Sequence, residues 1–329
     1  MEMIATQGLC KTFRNKRAIV EAVRDVDLSV REGEIYGFLG PNGAGKTTTM
    51  RILTTLMAPT SGRALVVGRD LFREARRIRQ DIGYVSQLGG TYEYATAYEN
   101  LVLQGRLYGL SRTDARAKAD RIVLQFDMAE YANRNVMTYS GGQKRHVHLG
   151  MGIMHDPKLL FLDEPTTGLD PASRARFWEV IRGLRDRGIT IFLTTHYLDE
   201  ADHLCDTVCI MDHGRVVASG TPSELKRRVA GDVIGIVVDR ADAARTAALL
   251  SNVPGVYSTE VVGDTVKLYA EAGEKALSVL LPHLVNAGIT IARVEMSRPS
   301  LDEVFLKTTG RAMADAESAD AGGNFGARE

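Results

Sequence analysis

Gly40-Pro41-Asn42-Gly43-Ala44-Gly45-Lys46-Thr47 is the stretch that decides the fold of this chain of 329 residues. It fits the pattern G-x-x-x-x-G-K-[ST], in which glycines let the backbone wrap so that successive N–H groups point at phosphate oxygens. An apolar run, Ile35–Leu39, precedes it, and Lys46–Met57 has apolar residues at helical spacing. A strand, a glycine-rich loop and a helix in this order predict a phosphate-binding loop at the entry to a parallel α/β sheet.

Two side chains at the end of this segment have the chemistry that a bound triphosphate requires. Lys46 can reach the β and γ phosphates, and the hydroxyl of Thr47 is a suitable ligand for Mg²⁺. The helix that starts here turns its positive N-terminal end toward the same anion. A glycine-rich turn that contains a lysine by chance is the alternative interpretation, and the flanking strand and helix argue against it.

A second apolar run, Leu159–Leu162, ends in the carboxylates Asp163 and Glu164. A strand of this kind would place Asp163 at the carboxyl edge of the sheet, beside the phosphate loop, where Mg²⁺ needs an oxygen ligand. Glu164 can then polarise an attacking water, and general-base assistance is typically worth about 10²–10⁴ in rate. Alone, these residues could be a solvated acidic pair. With the phosphate loop they predict a nucleotide-hydrolysis site.

The first 225 residues or so alternate apolar runs with glycine and proline, as expected of an α/β domain. Thr190–Leu193 is predicted to be another buried strand, and before it the sequence predicts a helix that Asp170 caps and Gly188 ends. Residues of about 99–150 instead have helical spacing and many charges. We therefore expect a helical subdomain inserted into the sheet domain.

Beyond residue 225 or so the order and spacing of the predicted strands and helices change. The predicted elements follow the order βαββαβ plus a final helix, which indicates a small α+β domain of the split βαβ type over residues 232–308. We therefore expect a nucleotide-binding domain over residues 1–225, this accessory domain, and a disordered, glycine-rich tail over residues 312–329.

The composition excludes several classes of protein. Lys plus Arg and Asp plus Glu are both 41, so the net charge is zero and nothing favours nucleic-acid binding through bulk positive charge. The 3 cysteines cannot form a disulfide framework. The longest apolar runs, such as Ile234–Val238, fall far short of the roughly 18 residues of a membrane-spanning helix. We expect a cytosolic chain, or one held on a membrane through a partner.

Several short motifs occur in the order in which ATP-binding cassettes carry them. They are the phosphate loop, Gln87 after the predicted strand Ile82–Ser86, Ser140-Gly141-Gly142-Gln143, Asp163-Glu164-Pro165, Gly168-Leu169-Asp170 and His196. Intervals of 41, 53, 23 and 33 residues separate Lys46, Gln87, Ser140, Asp163 and His196. Over residues of about 3–225 the chain therefore resembles the ATP-binding cassette (ABC) family, which implies the P-loop NTPase fold of an ABC ATPase.

The resemblance implies a role for each matching residue on the nucleotide side. The implied ATP-binding residues are Phe13, which would stack on adenine, and Gly40, Pro41, Asn42, Gly43, Ala44, Gly45, Lys46, Thr47 and Thr48. The implied ligands of Mg²⁺ are Thr47, Gln87 and Asp163. The implied catalytic group is Glu164, His196, Lys46 and Gln87, with Gln87 near the attacking water and His196 at the γ-phosphate.

The resemblance also implies that one chain holds only half of each complete site. The signature segment, Ser140, Gly141, Gly142 and Gln143, would contact ATP held by the opposite cassette. Asp170 would lie at the interface between the two. The implied assembly is a head-to-tail homodimer that closes over two ATP molecules.

The C-terminal part extends the resemblance to nearly the whole chain. Pro299–Leu306 is similar to the ending of ATPase subunits of drug and antibiotic exporters of the daunorubicin-resistance type. Such subunits imply a separate integral membrane permease of the ABC-2 type and a peripheral position on the cytoplasmic face of the cell membrane. The likeness weakens at Leu88–Ala97, which leaves the identity of that partner open.

Three functions stay open at this point. The first is ATP hydrolysis that powers efflux of an amphiphilic drug or antibiotic-like molecule. The second keeps the ATPase role but changes the cargo to a lipid or polysaccharide. The third is a soluble cassette ATPase that acts on the ribosome or on DNA. A single cassette, zero net charge and the lack of sustained heptads argue against the third function, so no nucleic-acid partner is expected.

Overall fold

The computed structural model describes residues 1–14, 19–229, 232–251, 253–270, 273–297, 300–310 and 313. These residues form two compact units, Met1–Ser219 and Gly220–Asp315. The predicted tail, residues 312–329, lies outside the described residues apart from Met313. None of the helices in this described part of the chain combines the length and the apolar character needed to cross a bilayer.

The first unit contains the strands of two sheets and the helices that connect them. Its strands are β1 (Glu2–Arg14), β2 (Ile19–Val26), β3 (Ser29–Arg31), β4 (Ile35–Leu39), β5 (Ser61–Val66), β6 (Arg69–Asp70), β7 (Ile82–Val85), β8 (Leu159–Asp163), β9 (Thr190–Thr195), β10 (Thr207–Asp212) and β11 (Arg215–Gly220). Its helices are α1 (Lys46–Leu53), α2 (Ala75–Asp81), α3 (Ala97–Leu107), α4 (Arg112–Gln125), α5 (Gly141–Gly152), α6 (Pro171–Arg185), α7 (Leu198–Leu204) and a 3₁₀ turn (Val136–Thr138).

A mainly parallel sheet carries the candidate site, with the strand order β11-β10-β4-β9-β8-β7. Strands β4, β8 and β9 are buried along their whole lengths, as expected of parallel strands that are covered on both faces. The parallel register places Asp163 beside Thr194 and Leu39 beside Thr195. The carboxyl ends of β4, β8 and β9 therefore meet at one edge, which brings the phosphate loop and the acidic pair together.

A second, antiparallel sheet has the order β2-β1-β5-β6, with β3 also paired to β1. It shares one hydrophobic core with the central sheet, because Ile4 and Val66 belong to the same buried cluster as Phe161 and Phe192. The last two rings lie 5.5 Å apart. The predicted α/β fold class is confirmed for this unit.

Helices α3, α4 and α5 occupy the stretch for which the sequence predicts inserted helices. Two of them begin at capping boxes, Thr96 with Glu99 for α3 and Ser140 with Gln143 for α5. The helix predicted after Asp170 is confirmed, since Asp170 is the N-cap of α6.

One helix is shorter than its apolar spacing predicts. The spacing extends to Met57, but α1 ends at Leu53. The Thr54 hydroxyl donates to the carbonyl oxygen of Met50 at 2.9 Å, and Thr55 has a left-handed φ of 63°. Because a backbone in this conformation cannot continue a right-handed helix, the last predicted turn is wrong.

The second unit is a small α+β fold. Its elements are α8 (Pro222–Val229), β12 (Asp232–Val238), α9 (Ala243–Leu250), β13 (Val256–Val262), β14 (Thr265–Ala270), α10 (Gly273–Asn286), β15 (Ile291–Ser297) and α11 (Leu301–Thr309). The sheet is antiparallel with the order β13-β14-β12-β15. Leu250 of α9 and Leu280 of α10 pack with Ile234 and Ile236 in its core. The predicted order βαββαβ plus a helix is confirmed.

Candidate nucleotide-hydrolysis site

Two glycines of the phosphate loop lie against backbone that leaves no room for a side chain. A Cβ at Gly40 would lie 2.3 Å from the carbonyl oxygen of Met211, and a Cβ at Gly45 would lie 2.2 Å from that of Ala22. Gly45 also has a left-handed φ of 105° and is the N-cap of α1. The loop thus passes tightly between β2 and β10 into a helix N-terminus, an arrangement that binds phosphate.

Lys46 folds back along this loop. The side chain is buried, and its Nζ donates to the carbonyl oxygens of Gly40 and Pro41 at 2.6 and 3.0 Å. Nζ also lies 3.8 Å from Oε1 of Glu164. A positive charge is therefore held between the loop and the acidic end of β8. Thr48 is half-buried in the first turn of α1.

Asp163 is the last residue of β8 and is buried. Its Oδ1 accepts hydrogen bonds from Thr194 Oγ1 at 2.6 Å and from Thr47 Oγ1 at 3.3 Å. A hydroxyl and a carboxylate oxygen, both of the hard type that Mg²⁺ prefers, therefore lie together at the phosphate loop.

Several polar side chains converge on Glu164. Its Oε1 lies 3.8 Å from Lys46 Nζ and 3.4 Å from His196 Nδ1. Its Oε2 accepts hydrogen bonds from Gln87 Nε2 at 2.9 Å and from Thr167 Oγ1 at 3.3 Å. The backbone at Glu164 has a left-handed φ of 46°, which is uncommon for a residue other than glycine. Such strain persists only where the surrounding contacts determine the conformation, as they do here.

The surroundings keep Glu164 ionised. Burial is the largest influence and raises its pKa, but the adjacent His196 ring and the Lys46 ammonium lower it, and the net pKa lies below the ordinary value. The side chain is therefore a carboxylate at neutral pH. A fixed carboxylate beside a phosphate loop can orient and polarise a water molecule.

The structure thus brings Lys46, Thr47, Gln87, Asp163, Glu164 and His196 to one sheet edge. Phe13 lies apart from them on β1, where its ring is 40% exposed and Lys11 Nζ is 5.2 Å from the ring centroid. Phe13 pairs with Val20 of β2, the strand that contacts the phosphate loop through Ala22. An exposed ring in this place can stack on a nucleobase.

The signature segment forms the N-terminus of α5. Ser140 Oγ accepts from the backbone N–H of Gln143 at 3.3 Å, and the Ser140 N–H donates to Gln143 Oε1 at 3.1 Å. Ser140 and Gly141 are exposed and Gly142 is half-buried. A cavity of about 410 Å³ opens beside them. The N-terminus of this helix is consequently accessible to an anion.

Asp170 is exposed at the start of α6. Its carboxylate accepts from the Ser173 side chain at 2.6 Å and from the Ser173 backbone at 2.9 Å. These two hydrogen bonds lower the pKa of Asp170. Within this chain the residue acts as a helix cap, and its exposure leaves it accessible to a second molecule.

Two residues that support the site were not among the sequence candidates. Thr194 accepts from the Glu164 backbone N–H at 3.1 Å while it donates to Asp163. Arg145 is buried on α5, and its Nη2 donates to the carbonyl oxygen of Glu164 at 3.4 Å. A sequence argument could find Thr194 once β8 and β9 are paired in register. The contact of Arg145 depends on the packing of α5 and has no local signal.

Comparisons with known proteins agree with this fold. The family model described as ABC transporter matches residues 23–167, and the model described as ATP-binding protein DrrA1-3-like, C-terminal domain, matches residues 220–309. The daunorubicin resistance ATP-binding protein DrrA3 of Streptomyces coeruleorubidus is 42% identical, covering 93% of this chain and 96% of that protein. The linearmycin resistance ATP-binding protein LnrL of Bacillus subtilis is 34% identical, covering 95% and 100%. The Nod factor export ATP-binding protein I of Ralstonia nicotianae is 35% identical, covering 95% and 95%.

Solved structures lead to the same class. The dimeric structure of MJ0796, a bacterial ABC transporter cassette, matches with a TM-score of 0.61 at 26% identity, over 67% of this chain and 98% of that chain. The fold and the phosphate loop thus define an ATP-binding cassette, the ATPase of an ABC transporter. The chain belongs to the DrrA-like family of ABC transporter ATP-binding proteins, and the resemblance drawn from its motifs is confirmed.

Proposed function

We propose that this chain is the subunit that hydrolyses ATP to power efflux of an amphiphilic drug or antibiotic-like molecule. One observation carries the catalytic part: Lys46, Gln87 and His196 converge on the ionised Glu164 at the phosphate-loop edge of the sheet. The names of two relatives, a daunorubicin and a linearmycin resistance protein, support the choice of a drug-like cargo.

In the proposed reaction the chain positions ATP and a water molecule. Lys46 would exchange its contacts with two loop carbonyl oxygens for the β- and γ-phosphate oxygens. Glu164 would polarise the attacking water, Gln87 would orient it, and His196 would lie at the γ-phosphate. The Glu164 contacts with Gln87 and His196, at 2.9 and 3.4 Å, keep these groups close enough to act together.

Magnesium fits the oxygen donors of this site. Thr47 Oγ1 and Asp163 Oδ1 lie 3.3 Å apart at the phosphate loop, and the side-chain carbonyl of Gln87 is available because its Nε2 is the atom that donates to Glu164. Mg²⁺ is commonly held by one or two protein ligands together with phosphate oxygens and water. These residues would hold the ion, which would neutralise charge on the β- and γ-phosphates.

The signature segment would serve ATP bound to a second copy of the chain. Ser140 and Asp170 are both exposed, and the α5 N-terminus offers an anion site. In the proposed head-to-tail homodimer, Ser140, Gly141, Gly142 and Gln143 of each chain complete the site of its partner in the ATP-bound state. The dimeric structure of MJ0796, a bacterial ABC transporter cassette, supports the formation of a dimer.

The partner in the membrane would be a separate permease of the ABC-2 type, with this chain peripheral on the cytoplasmic face. The segment after Gln87 supports a protein partner, because Leu88, Tyr92 and Tyr94 are 95%, 64% and 84% exposed. Large apolar side chains grouped on a surface mark an interaction site more often than a solvated loop. No nucleic-acid partner is proposed.

The test is steady-state ATP hydrolysis and transport in inverted vesicles that contain this chain with its candidate permease. Wild type and Glu164→Gln are compared with a panel of amphiphilic compounds. We expect some compounds to change the wild-type rate and to accumulate in the vesicles with ATP, and Glu164→Gln to abolish both effects. A hydrolysis rate that changes neither with the permease nor with Glu164→Gln would contradict the proposal.

A second cargo class is retained because of one relative. The Nod factor export protein is 35% identical over 95% of this chain, so the names in this family are not confined to drug resistance. A lipid or polysaccharide cargo would leave the compound panel without effect, while hydrolysis would still depend on the permease and on Glu164. That pattern would favour the second candidate.

A further inference from the structure

A buried carboxylate outside the nucleotide contacts joins three segments of the first unit. Glu200 of α7 is fully buried. Its Oε1 accepts a hydrogen bond from Thr166 Oγ1 at 2.9 Å and another from Trp178 Nε1 at 3.0 Å. Trp178 belongs to α6, and Thr166, which is also fully buried, lies in the loop between Glu164 and α6. One oxygen atom therefore links α7, this loop and α6.

The segment that carries Glu200 also carries His196, two residues before α7. Tyr197 packs under Arg174 of α6, whose guanidinium carbon is 4.2 Å from the ring centroid. Arg174 also pairs with Asp199 at 3.0 Å. Arg174 thus holds the His196 segment against α6 through Tyr197 and Asp199. Glu200 holds the same segment against α6 through its buried hydrogen bond with Trp178.

The loop on the other side of Glu200 begins with Glu164 and its left-handed φ of 46°. Glu164 itself is bound to Thr194 of β9 through its N–H and to Arg145 of α5 through its carbonyl oxygen. Beyond these two contacts the backbone hydrogen bonds of the loop are local, from Thr167 N to the Glu164 carbonyl at 3.3 Å and from Leu169 N to the Thr166 carbonyl at 3.1 Å. The bond from Thr166 to Glu200 anchors the middle of the loop to a different element. Movement of this anchor would change the direction of the Glu164 side chain.

We propose that Glu200 is a positioning residue for ATP hydrolysis: it fixes the loop that follows Glu164 against the segment that follows His196. It acts through Thr166 and sets the approach of Glu164 Oε1 to His196 Nδ1, which are 3.4 Å apart. The proposal rests on the proposed roles of Glu164 and His196.

The hydrogen bonds that Glu200 Oε1 accepts do not require a negative charge on Glu200. Burial raises the pKa of Glu200, while the donors Thr195, Thr166 and Trp178 oppose that rise. A neutral side chain with an acceptor oxygen would keep the hydrogen bonds from Thr166 and Trp178 without the cost of burying a charge. Glu200→Gln is therefore the conservative variant, and Glu200→Ala is the variant that removes the anchor.

The test uses the full chain with Mg·ATP and two measurements. Trp178 is the single tryptophan of the sequence, so intrinsic fluorescence reports directly on this site. For Glu200→Ala we expect kcat to fall tenfold to about a hundredfold with little change in KM for ATP, because a displaced loop misdirects Glu164 and leaves the phosphate loop in place. We also expect a red shift of Trp178 emission. Glu200→Gln is expected to restore both kcat and emission.

Thr166→Val removes the same hydrogen bond with a smaller change in shape. It is expected to lower kcat in the same way, and its effect should not add to that of Glu200→Ala because both variants lack the hydrogen bond between Thr166 and Glu200. Trp178→Phe removes the other donor and is expected to keep kcat. A Glu200→Ala protein with wild-type kcat would overturn the proposal. A fall in kcat for Trp178→Phe without a fall for Thr166→Val would also overturn it. The same holds if kcat of Glu200→Gln is as low as that of Glu200→Ala. If Glu164→Gln hydrolyses ATP like wild type, the assignment of the site fails instead.

Discussion

The nucleotide side and the signature side of the first unit use glycine for opposite reasons. At Gly40 and Gly45 an added Cβ would come within 2.3 and 2.2 Å of backbone oxygens of the same chain. At Gly141 and Gly142 a Cβ would meet nothing closer than 3.8 and 3.7 Å. The fold requires glycine in the first pair, whereas packing within this chain does not require it in the second. This difference fits the proposed dimer, in which a ligand held by the partner chain would approach the space beside Gly142.

Polar side chains differ between the two sides in the same way. Lys46 and Asp163 are 3% and 4% exposed and are held by neighbouring strands and loops. Ser140 is exposed and its side chain caps its own helix. The polar groups of the nucleotide side are buried and bound within the chain, whereas those of the signature side lie at an accessible helix N-terminus. The proposed head-to-tail dimer explains this contrast, and the following experiments test it.

The largest effect is expected when the two sides are disabled on different chains. Glu164→Gln removes the proposed base, and Ser140→Asp keeps a good N-cap but places a negative charge where the partner's γ-phosphate would approach. The Glu164→Gln homodimer should lose about 10²–10⁴ in hydrolysis rate, since it lacks the base. The Ser140→Asp homodimer should also lose most of its activity, because like charges repel at both of its sites. A mixed dimer with one substitution on each chain should keep one intact site and a substantial part of the wild-type rate.

The matched control carries both substitutions on one chain, paired with a wild-type chain. In a head-to-tail dimer this arrangement damages both sites and should be inactive. If each chain instead used its own signature segment, the two mixed dimers would exchange their activities. Steady-state hydrolysis of tagged, co-purified mixed dimers distinguishes these outcomes.

The next effect concerns stability on the nucleotide side. Gly45→Ala forces a side chain into a left-handed φ of 105° and against the Ala22 carbonyl oxygen. We expect the free energy of unfolding to fall by about 3 kcal/mol or more, since the strained backbone alone costs about 1–3 kcal/mol. Urea unfolding followed by Trp178 fluorescence measures this. Gly33→Ala is the control, because its φ is 77° but nothing lies within 4 Å, and it should cost markedly less.

The nucleotide side could be predicted from the sequence because its elements are neighbours along the chain. A strand, a loop and a helix follow one another at Ile35–Leu53, so the phosphate loop needs no long-range information. The N-cap at Asp170 is equally local. The contact of Arg145 with Glu164 and that of Glu200 with Thr166 join residues 19 and 34 positions apart, and they exist only because α5 and α7 pack at the sheet edge. No periodicity or spacing could indicate them.

A smaller effect is expected in the loop after Gln87, which lies against the signature helix. Gly89 has a left-handed φ of 77°, and a Cβ there would come within 2.1 Å of the His148 ring on α5. Gly89→Ala should displace this loop and reduce hydrolysis about tenfold through Gln87. At the adjacent Gly90 nothing lies within 4 Å and the φ is not left-handed, so Gly90→Ala is the control for a methyl group that meets neither contact nor strain.

Removal of the obstructing ring sharpens this test. In a protein with both Gly89→Ala and His148→Ala the steric part of the effect is relieved, and part of the hydrolysis rate should return. Equal rates for Gly89→Ala and Gly90→Ala would show that the contact with α5 does not position Gln87. Steady-state hydrolysis with Mg·ATP gives the comparison.

The smallest change in stability has the opposite sign and is the most direct test of the signature side. Gly142 is in the first turn of α5, and an alanine Cβ would make only ordinary contact with Ser173 Oγ at 3.7 Å. Because alanine favours a helix over glycine, Gly142→Ala should raise the free energy of unfolding by up to about 1 kcal/mol. Hydrolysis should nevertheless fall, since the new methyl group occupies the space that the partner's phosphate would approach. A protein that is more stable and equally active would mean that this space binds nothing, and the contrast between the two sides would then have no functional basis.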